Sequence, residues 1–212
     1  MRTEKESAGH SGGGFPTRLR VGDLVFIRIS ALPFRWVARA TGSWTNHVGV
    51  VIDVAGKEPV IAESRFPLSC TTSLSRFIGR SEDGRVAVTR LKTPLTEAQQ
   101  QRVRIAANRR LGIFYDTGFN LHSRRQFCSR YVREVVGEAT GTLIGEVETF
   151  ATLLSLQPES RLGFWRLWYF GRIPWHRETV SPANLLRSSD LTTVFDGIAA
   201  NDGSAYRSLG SG

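Results

Sequence analysis

Hydrophobic and polar positions alternate over several short segments in the first half of the chain, which is the pattern of β-strands. Residues 19–29 have two apolar faces after a Gly-Asp turn signal, 47–54 is rich in β-branched residues, and 85–91 alternates again. A stretch with Gly and Pro at 55–59 separates 47–54 from a second apolar run at 60–64. Two such runs joined by a turn predict a β-hairpin.

The second half of the chain has the period of helices. Residues 96–111 begin with Thr96, a preferred N-cap residue, and place apolar residues at helical spacing. Residues 127–136 have a second apolar face that ends before a glycine, and a short helix at 182–186 precedes a strand at 192–195. Strands and helices that are segregated along the chain predict an α+β domain and not a parallel doubly wound sheet.

Length and composition fit one folded domain with loose ends. The chain has 212 residues, 41% of them hydrophobic, and no repeats, which excludes a wholly disordered chain, a collagen and a solenoid. Residues 1–18 and 201–212 are rich in Gly, Ser and charge, so we expect mobile tails around a single domain at 19–200. The region 138–178 is predicted to be an aromatic-rich insertion or lid. Its aromatic run at 164–170 is typical of core packing, of an acyl-binding wall or of a partner surface.

The sequence has neither a secretory signal nor a membrane span. The N-terminal residues contain no apolar segment, and no uncharged apolar run approaches the roughly 18 residues that a membrane helix needs. We therefore expect a cytoplasmic protein, with peripheral lipid contact left open. In that reducing compartment the two cysteines are packing residues, metal ligands or nucleophiles.

The chain is basic and its positive charge is almost all arginine. It has 28 Lys plus Arg against 19 Asp plus Glu, a net charge of +9, and arginine suits planar recognition of phosphate or carboxylate. A coding bias towards arginine explains the same composition. A non-catalytic module that binds nucleic acid or another acidic partner is the alternative from another class. Against nucleic acid, no basic run is longer than Arg109-Arg110 or Arg124-Arg125, and no base-stacking motif is present.

Three residues have the chemistry of thiol catalysis. Cys128 lies at the start of the second predicted helix, where unpaired N–H groups and the helix dipole favour a thiolate. His47 begins the first hairpin strand and Glu63 lies near the end of the second, so strand pairing brings the two side chains within reach. An imidazole beside a thiol and a third group that orients the imidazole form a catalytic triad. Gly49 is expected to leave space for the helix end that carries Cys128.

Other uses of these residues stay open at this point. A cysteine with apolar neighbours on a helix is often a small core residue, and Cys70, in a polar loop without a helix start, is interpreted as a bystander. Zinc binding by His47, Glu63, His122 and Cys128 is disfavoured, because no two of these ligands are closely spaced along the chain. We therefore predict no metal and no cofactor.

Several motifs together resemble a known family. They are His47 with Gly49, a glutamate on the next strand (Glu63), the sequence GIFYD at 112–116, and FCSRYV at 127–132. The opening GDLVF at 22–26 and the closing TVSPANL at 179–185 fit the same pattern. This combination resembles the permuted papain-like amidases of the YaeF/YiiX type, a circularly permuted branch of the NlpC-like cysteine peptidases that is related to lecithin:retinol acyltransferase.

The resemblance implies a small permuted papain-like (NlpC-like) α+β fold, in which an antiparallel sheet packs against the helix with the nucleophile. Cys128 is then the nucleophile, His47 the general base and Glu63 the orienting group. The oxyanion hole is expected to use the Cys128 N–H and Tyr115, and Asp116 is expected to fix the loop or a substrate amine.

Arginines near the expected nucleophile bear on the substrate. Arg124 and Arg125 precede the cysteine and are candidate substrate contacts, and Arg130 stands where relatives often have an acidic residue. Together they are expected to favour a thiolate and to attract a carboxylate-bearing substrate.

The functional hypothesis is a cysteine hydrolase that cleaves an amide, such as a peptide or γ-glutamyl bond, through an acyl-enzyme on Cys128. Its substrate is expected to be a small peptide, an amino-acid amide or an acyl compound. A lipid-directed thioesterase or acyltransferase with the same triad is the alternative enzyme.

Overall fold

The computed structural model describes residues 18–155 and 162–199, so the tails predicted at 1–18 and 201–212 lie, except for Arg18, outside the described residues. No helix in the described part is long and apolar enough to cross a membrane. The strands are β1 (Leu24–Ile29), β2 (His47–Asp53), β3 (Val60–Glu63), β4 (Cys70–Ser73), β5 (Ser81–Leu91), β6 (Glu148–Thr149), β7 (Glu178–Thr179) and β8 (Leu191–Ile198). The helices are α1 (Leu32–Ala40), α2 (Leu74–Ile78), α3 (Glu97–Asn108), α4 (Cys128–Thr140), α5 (Phe150–Ser155), α6 (Leu162–Trp168) and α7 (Pro182–Leu186).

A twisted antiparallel sheet organises the described residues. Its strand order is β4-β3-β2-β1-β5-β8, and every neighbouring pair is antiparallel. The predicted α+β class, the hairpin formed by β2 and β3 and the strand at β5 are confirmed. Two short strands, β6 and β7, form a separate ribbon.

Both faces of the central strands are buried, because the sheet packs against different elements on its two sides. Phe26, Val48 and Val50 belong to the larger core, which also contains the apolar faces of α3 and α4. Val25 and Ile61 point to the opposite side and join a smaller core that includes residues of α2. Alternation along each strand therefore places two apolar layers back to back.

The sequence predicted where α3 begins, but it did not predict where α4 ends. Thr96 accepts a hydrogen bond from the Gln99 N–H, and the Gln99 side chain accepts one from the Thr96 N–H, which forms a capping box at the start of α3. The prediction that Gly137 ends the second helix is wrong, since α4 continues to Thr140. Gly141, with φ of 80°, provides the left-handed cap there.

The aromatic region divides into a buried and an exposed part. Trp165 is 2% exposed and packs with Phe150 and other residues of α5 in a third core next to α1. Leu167 and Phe170 are 80% and 96% exposed. Core packing therefore accounts for one face of α6, and residues 156–161 of this region lie outside the described residues.

Candidate active site

Cys128 is the first residue of α4, as its sequence position predicts. The preceding residue, Phe127, is in extended conformation and makes no side-chain capping hydrogen bond. The first backbone N–H groups of α4 are therefore free of a side-chain cap and favour a negative charge. Cys128 is only 3% exposed, and the Val48 N–H of the neighbouring strand β2 donates to its sulfur.

His47 and Glu63 meet across the β2–β3 hairpin. Val50 pairs with Ala62, so Glu63 lies one step further along β3, diagonal to His47. The His47 Nε2 and Glu63 Oε2 atoms are 2.5 Å apart, and both residues are fully buried. The Nδ1 atom of His47 is also buried and makes no hydrogen bond to a nitrogen or oxygen of the described residues. With Nε2 held by Glu63, Nδ1 is the nitrogen left for the Cys128 thiol.

A cation that the sequence did not indicate completes this arrangement. Arg80 follows α2, and its Nη2 donates to both oxygens of Glu63, at 2.7 and 2.9 Å. Its guanidinium also lies over the ring of Phe77, 5.0 Å from the ring centroid. Phe77 in turn stacks on the His47 imidazole at 5.6 Å between centroids and an interplanar angle of 29°. The sequence did not predict the contact between Arg80 and Glu63, because Arg80 is distant from the motif residues along the chain.

Gly49 leaves space for a different element than the sequence suggested. A Cβ atom at Gly49 would lie 2.5 Å from Ile61 and 2.9 Å from the ring of Phe77. The expectation that this glycine makes room for the helix with Cys128 is therefore wrong. It allows Phe77 to approach the His47 imidazole from the face of the sheet opposite α4.

The surrounding charges stabilise a thiolate next to an imidazolium. Burial raises the pKa of the Cys128 thiol, but the charge and hydrogen bond of His47, together with hydrogen bonds from Val48 and Tyr115, lower this pKa below 9.0. Burial alone would lower the pKa of His47. The charge and hydrogen bond of Cys128, together with Glu63, raise it from 6.5 to about 9. Burial likewise disfavours ionised Glu63, yet His47 and Arg80 keep the pKa of its carboxyl below 4.5.

Tyr115, in the loop before α4, also contacts the sulfur of Cys128. Its backbone N–H donates to Pro67 O at 2.9 Å, and its ring packs edge-on against Phe34 and Phe119. Its hydroxyl is hydrogen-bonded to Cys128. Burial, the charge of Cys128 and the charge of Asp116 raise the pKa of Tyr115 well above 10, so the hydroxyl stays protonated and donates.

Asp116 is occupied by its own loop. Its two carboxylate oxygens accept hydrogen bonds from the backbone N–H groups of Gly118, at 2.9 Å, and Asn120, at 3.0 Å. Of the two roles predicted for Asp116, fixing the loop is the one that these contacts serve.

The arginines near Cys128 do not converge on the thiol. Arg124 and Arg125 are exposed and lie outside the set of described residues that line the adjacent cleft. Arg130 donates to the backbone oxygens of Ser123 and Arg125, at 2.6 and 2.8 Å, and pairs with Glu134 at 2.7 Å. These contacts hold the Arg130 guanidinium against the loop before α4 and against Glu134 of its own helix.

An apolar cleft opens at Cys128. It encloses about 410 Å³, including the part that is open to solvent. Its walls come from α1, the loop before α4, the helices α5 and α6, and the start of α7. Aromatic side chains dominate the lining: Phe34, Tyr115, Phe119, Phe127, Phe150 and Trp165.

The remaining candidates lie apart from this cleft. Cys70 pairs with Glu63 across β3 and β4 and is half-buried. His122 lies on the surface, where its Nε2 is 2.7 Å from Glu178 Oε2. Within residues 18–155 and 162–199, no group of three or more His, Cys, Asp and Glu side chains is placed to hold a metal ion.

Comparison with known proteins places this chain in a family. A family model described as "Permuted papain-like amidase enzyme, YaeF/YiiX, C92 family" matches residues 18–195. The uncharacterized protein YiiX of Escherichia coli strain K12 is 30% identical over 182 residues, which cover 85% of this chain and 88% of that protein. The crystal structure of metalloprotein YiiX from Escherichia coli O157:H7 superposes with a TM-score of 0.75 at 27% identity, covering 84% of this chain and 98% of that one. The protein therefore belongs to the permuted papain-like amidase family of the YaeF/YiiX type.

Proposed function

We propose that this protein is a cysteine hydrolase that cleaves an amide, such as a peptide or γ-glutamyl bond, through an acyl-enzyme on Cys128. The proposal rests on the chain of contacts from the Cys128 thiol through the His47 imidazole to the Glu63 carboxylate. A thiol next to a base that is oriented by a third group is the arrangement nucleophilic catalysis needs. Membership in a papain-like amidase family supports the same reaction class.

The proposed reaction uses His47 first as an acid and then as a base. The Cys128 thiolate attacks the carbonyl carbon, a C–S bond forms, and the carbonyl electron pair moves to oxygen. The tetrahedral intermediate collapses, the C–N bond breaks, and imidazolium gives its proton to the departing amine. Water then gives a proton to His47 while its oxygen forms a C–O bond to the acyl carbon. The second tetrahedral intermediate collapses, the C–S bond breaks with its electron pair going to sulfur, and the acid leaves the restored thiolate–imidazolium pair.

Two donors beside Cys128 suit the negative oxygen of the tetrahedral intermediate. One is the Cys128 backbone N–H, at the start of a helix without a side-chain cap. The other is the Tyr115 hydroxyl, which stays protonated and already contacts the sulfur. Donors that are fixed before the reaction stabilise developing charge in a buried site without reorganising.

A related structure carries the description metalloprotein, and the site residues of this chain do not fit a metal. Both oxygens of Glu63 are held by the Arg80 guanidinium, and one of them also contacts His47. A metal cation bound to this carboxylate would be repelled by the Arg80 guanidinium, which already occupies both oxygens. We therefore derive no step of the reaction through a metal ion.

The test of the proposed function is selective labelling of the two cysteines. A chloroacetamide probe at neutral pH is expected to modify Cys128 at least about tenfold faster than Cys70, because only Cys128 is held as a thiolate. Peptide mass spectrometry distinguishes the two sites. Equal and slow modification of both would contradict the proposal.

A thioesterase or acyltransferase acting on an apolar acyl chain is the second candidate, and the cleft favours it. The cleft at Cys128 is walled by aromatic rings, including Phe150 and Trp165, and such a wall binds a hydrocarbon chain better than a polar peptide.

Parallel kinetics with dipeptide amides and with p-nitrophenyl esters of increasing chain length separate the two activities. An acyl site predicts that kcat/KM rises with chain length and that Trp165→Ala removes this dependence. A Trp36→Ala variant is the matched control, because Trp36 stacks on Phe164 and is not among the residues that line the cleft. Faster hydrolysis of dipeptide amides than of every ester would contradict the second candidate.

A further inference from the structure

Glu63 is a buried carboxylate with more than one cationic partner. Its side chain is 0% exposed, whereas that of Arg80 is 27% exposed. A buried carboxylate next to a single imidazolium can take up the proton of that imidazolium, which would leave two neutral groups. A guanidinium cannot lose its proton at physiological pH. Arg80 is therefore a permanent charge at the end of the chain of contacts that begins at Cys128.

We propose that Arg80 is a positioning residue of the catalytic site, which keeps Glu63 ionised and aligned so that His47 can hold its proton beside Cys128. The proposal rests on the proposed function and goes beyond the three residues of the triad. Arg80 acts through Glu63 and through Phe77, and it has no contact with Cys128.

The geometry makes Arg80 the support of two partners of the imidazole. One guanidinium nitrogen, Nη2, contacts both oxygens of Glu63, which restricts rotation of the carboxylate. The same guanidinium lies over Phe77, whose ring stacks on His47. The carboxylate holds the edge of the imidazole and the phenyl ring covers its face, so Arg80 fixes both the position and the tilt of the ring.

Other titratable groups also lie next to Cys128 and Glu63, so the experiment must distinguish their effects on the thiol from that of Arg80. Tyr115 contacts Cys128 from the loop before α4. Cys70 on β4 and Tyr131 on α4 interact electrostatically with Glu63. Arg65 adds a positive charge near Cys70, but Arg80 is the cation that donates to the Glu63 carboxylate.

Without Arg80, thiolate formation at Cys128 is expected to require a higher pH. Glu63 then becomes protonated at a higher pH, the imidazolium loses its carboxylate, and the thiolate loses the adjacent positive charge. The expected shift in Arg80→Gln is about one pH unit upward for the acid limb of Cys128 alkylation. Arg80→Lys is expected to shift the limb less, because lysine keeps the charge but not the planar fork.

The experiment measures iodoacetamide alkylation of Cys128 against pH, resolved from Cys70 by peptide mass spectrometry, so that no substrate is needed. Arg76→Gln is the matched control, because Arg76 lies in α2, just before Arg80 in the chain, is exposed, and carries the same charge. Its acid limb is expected to coincide with that of the wild type. In a Glu63→Gln background, Arg80→Gln is expected to add no further shift, because the two residues act through one contact.

The outcomes separate this role from the proposed function. Three results would overturn the role of Arg80. The acid limb of Cys128 alkylation is unchanged in Arg80→Gln, or it shifts equally in Arg76→Gln. Alternatively, Arg80→Gln shifts the limb as much in the Glu63→Gln background as in the wild type. If circular dichroism shows that Arg80→Gln is unfolded, Arg80→Met, which also removes the charge, is measured in its place, and an unchanged acid limb in that variant overturns the role. A wild-type Cys128 no more reactive than Cys70 overturns the proposed function itself.

Discussion

Cys70 pairs directly with Glu63, whereas Cys128 is linked to Glu63 through His47, and the pKa values of the two thiols move in opposite directions. Burial and the negative charge of Glu63 raise the pKa of Cys70 above 9.0. Cys128 is the more buried of the two, yet its pKa is lowered, because the charge and hydrogen bond of His47 and the hydrogen bonds from Val48 and Tyr115 together exceed the effect of burial. A difference in burial alone would have given the reverse order.

The position of the imidazole, and not proximity to the carboxylate, decides which of the two thiols has a lowered pKa. On the Cys128 side His47 lies between sulfur and carboxylate, so the thiol faces a positive charge. On the Cys70 side the cross-strand partner is Glu63 itself, so the thiol faces a negative charge. Position in the fold adds to this, since Cys128 begins a helix and Cys70 begins an edge strand.

Replacing each cysteine by serine in turn is expected to give the largest difference in activity between the two sites. Cys128→Ser is expected to reduce kcat/KM for the amide or ester that proves to be cleaved by at least about 10³-fold, because serine at this position lacks a thiolate. Cys70→Ser is expected to change it by less than about twofold. Steady-state kinetics of both variants measure the effect, and a comparable loss in both would mean that the two cysteines are not distinct.

Replacing the imidazole is expected to make the two thiols alike. In His47→Gln the Cys128 thiol keeps its burial but loses the positive charge, so its pKa rises towards that of Cys70. Alkylation of Cys128 at neutral pH should fall by roughly 10- to 100-fold, and that of Cys70 should stay the same. Competitive labelling followed by peptide mass spectrometry measures both rates in one sample. Fast labelling of Cys128 in this variant would show that the helix start alone activates it.

The rates of hydrolysis and of Cys128 alkylation are expected to differ in their dependence on pH above about 9. Because the pKa of His47 is raised from 6.5 to about 9, imidazolium is present below pH 9 and is lost as pH rises through that value. Hydrolysis should therefore decline above about pH 9, since the leaving amine then lacks its proton donor. Alkylation of Cys128 should not decline, because a thiolate remains. A fall of hydrolysis with a midpoint near 6.5 would contradict a raised pKa.

A substitution behind the imidazole is expected to have the smallest effect on the reaction. Gly49→Ala places a methyl group against Ile61 and Phe77, so Phe77 must move from the face of His47. Overpacking of this kind costs about 1–3 kcal/mol in the free energy of unfolding, and the labelling advantage of Cys128 should shrink severalfold. Gly56→Ala is the control, since its new methyl group meets only ordinary van der Waals contact. Urea denaturation and labelling of both variants measure the two effects.

Local sequence signals predicted the elements that carry the site with good accuracy. Alternation predicted β2 and β3, and the turn between them brought His47 to the diagonal of Glu63. The apolar face of 127–136 predicted a helix, whose first residue is Cys128. The helix α1, which provides Phe34 to the cleft, was missed, although its nine residues are amphipathic at helical spacing. Arg80 and the role of Gly49 were missed because their partners are distant in sequence.

The sequence alone was enough to name the three residues proposed for the triad, the strands and helix on which they lie, and the family. These depend on hydrophobic period, turn residues and short motifs, which act within a few residues of each other. The contacts of Arg80 with Glu63 and of Phe77 with His47 and Gly49 form only in the tertiary structure. Those contacts join segments that meet when the sheet packs between its two cores, so the charge at the thiol is a property of the assembled fold.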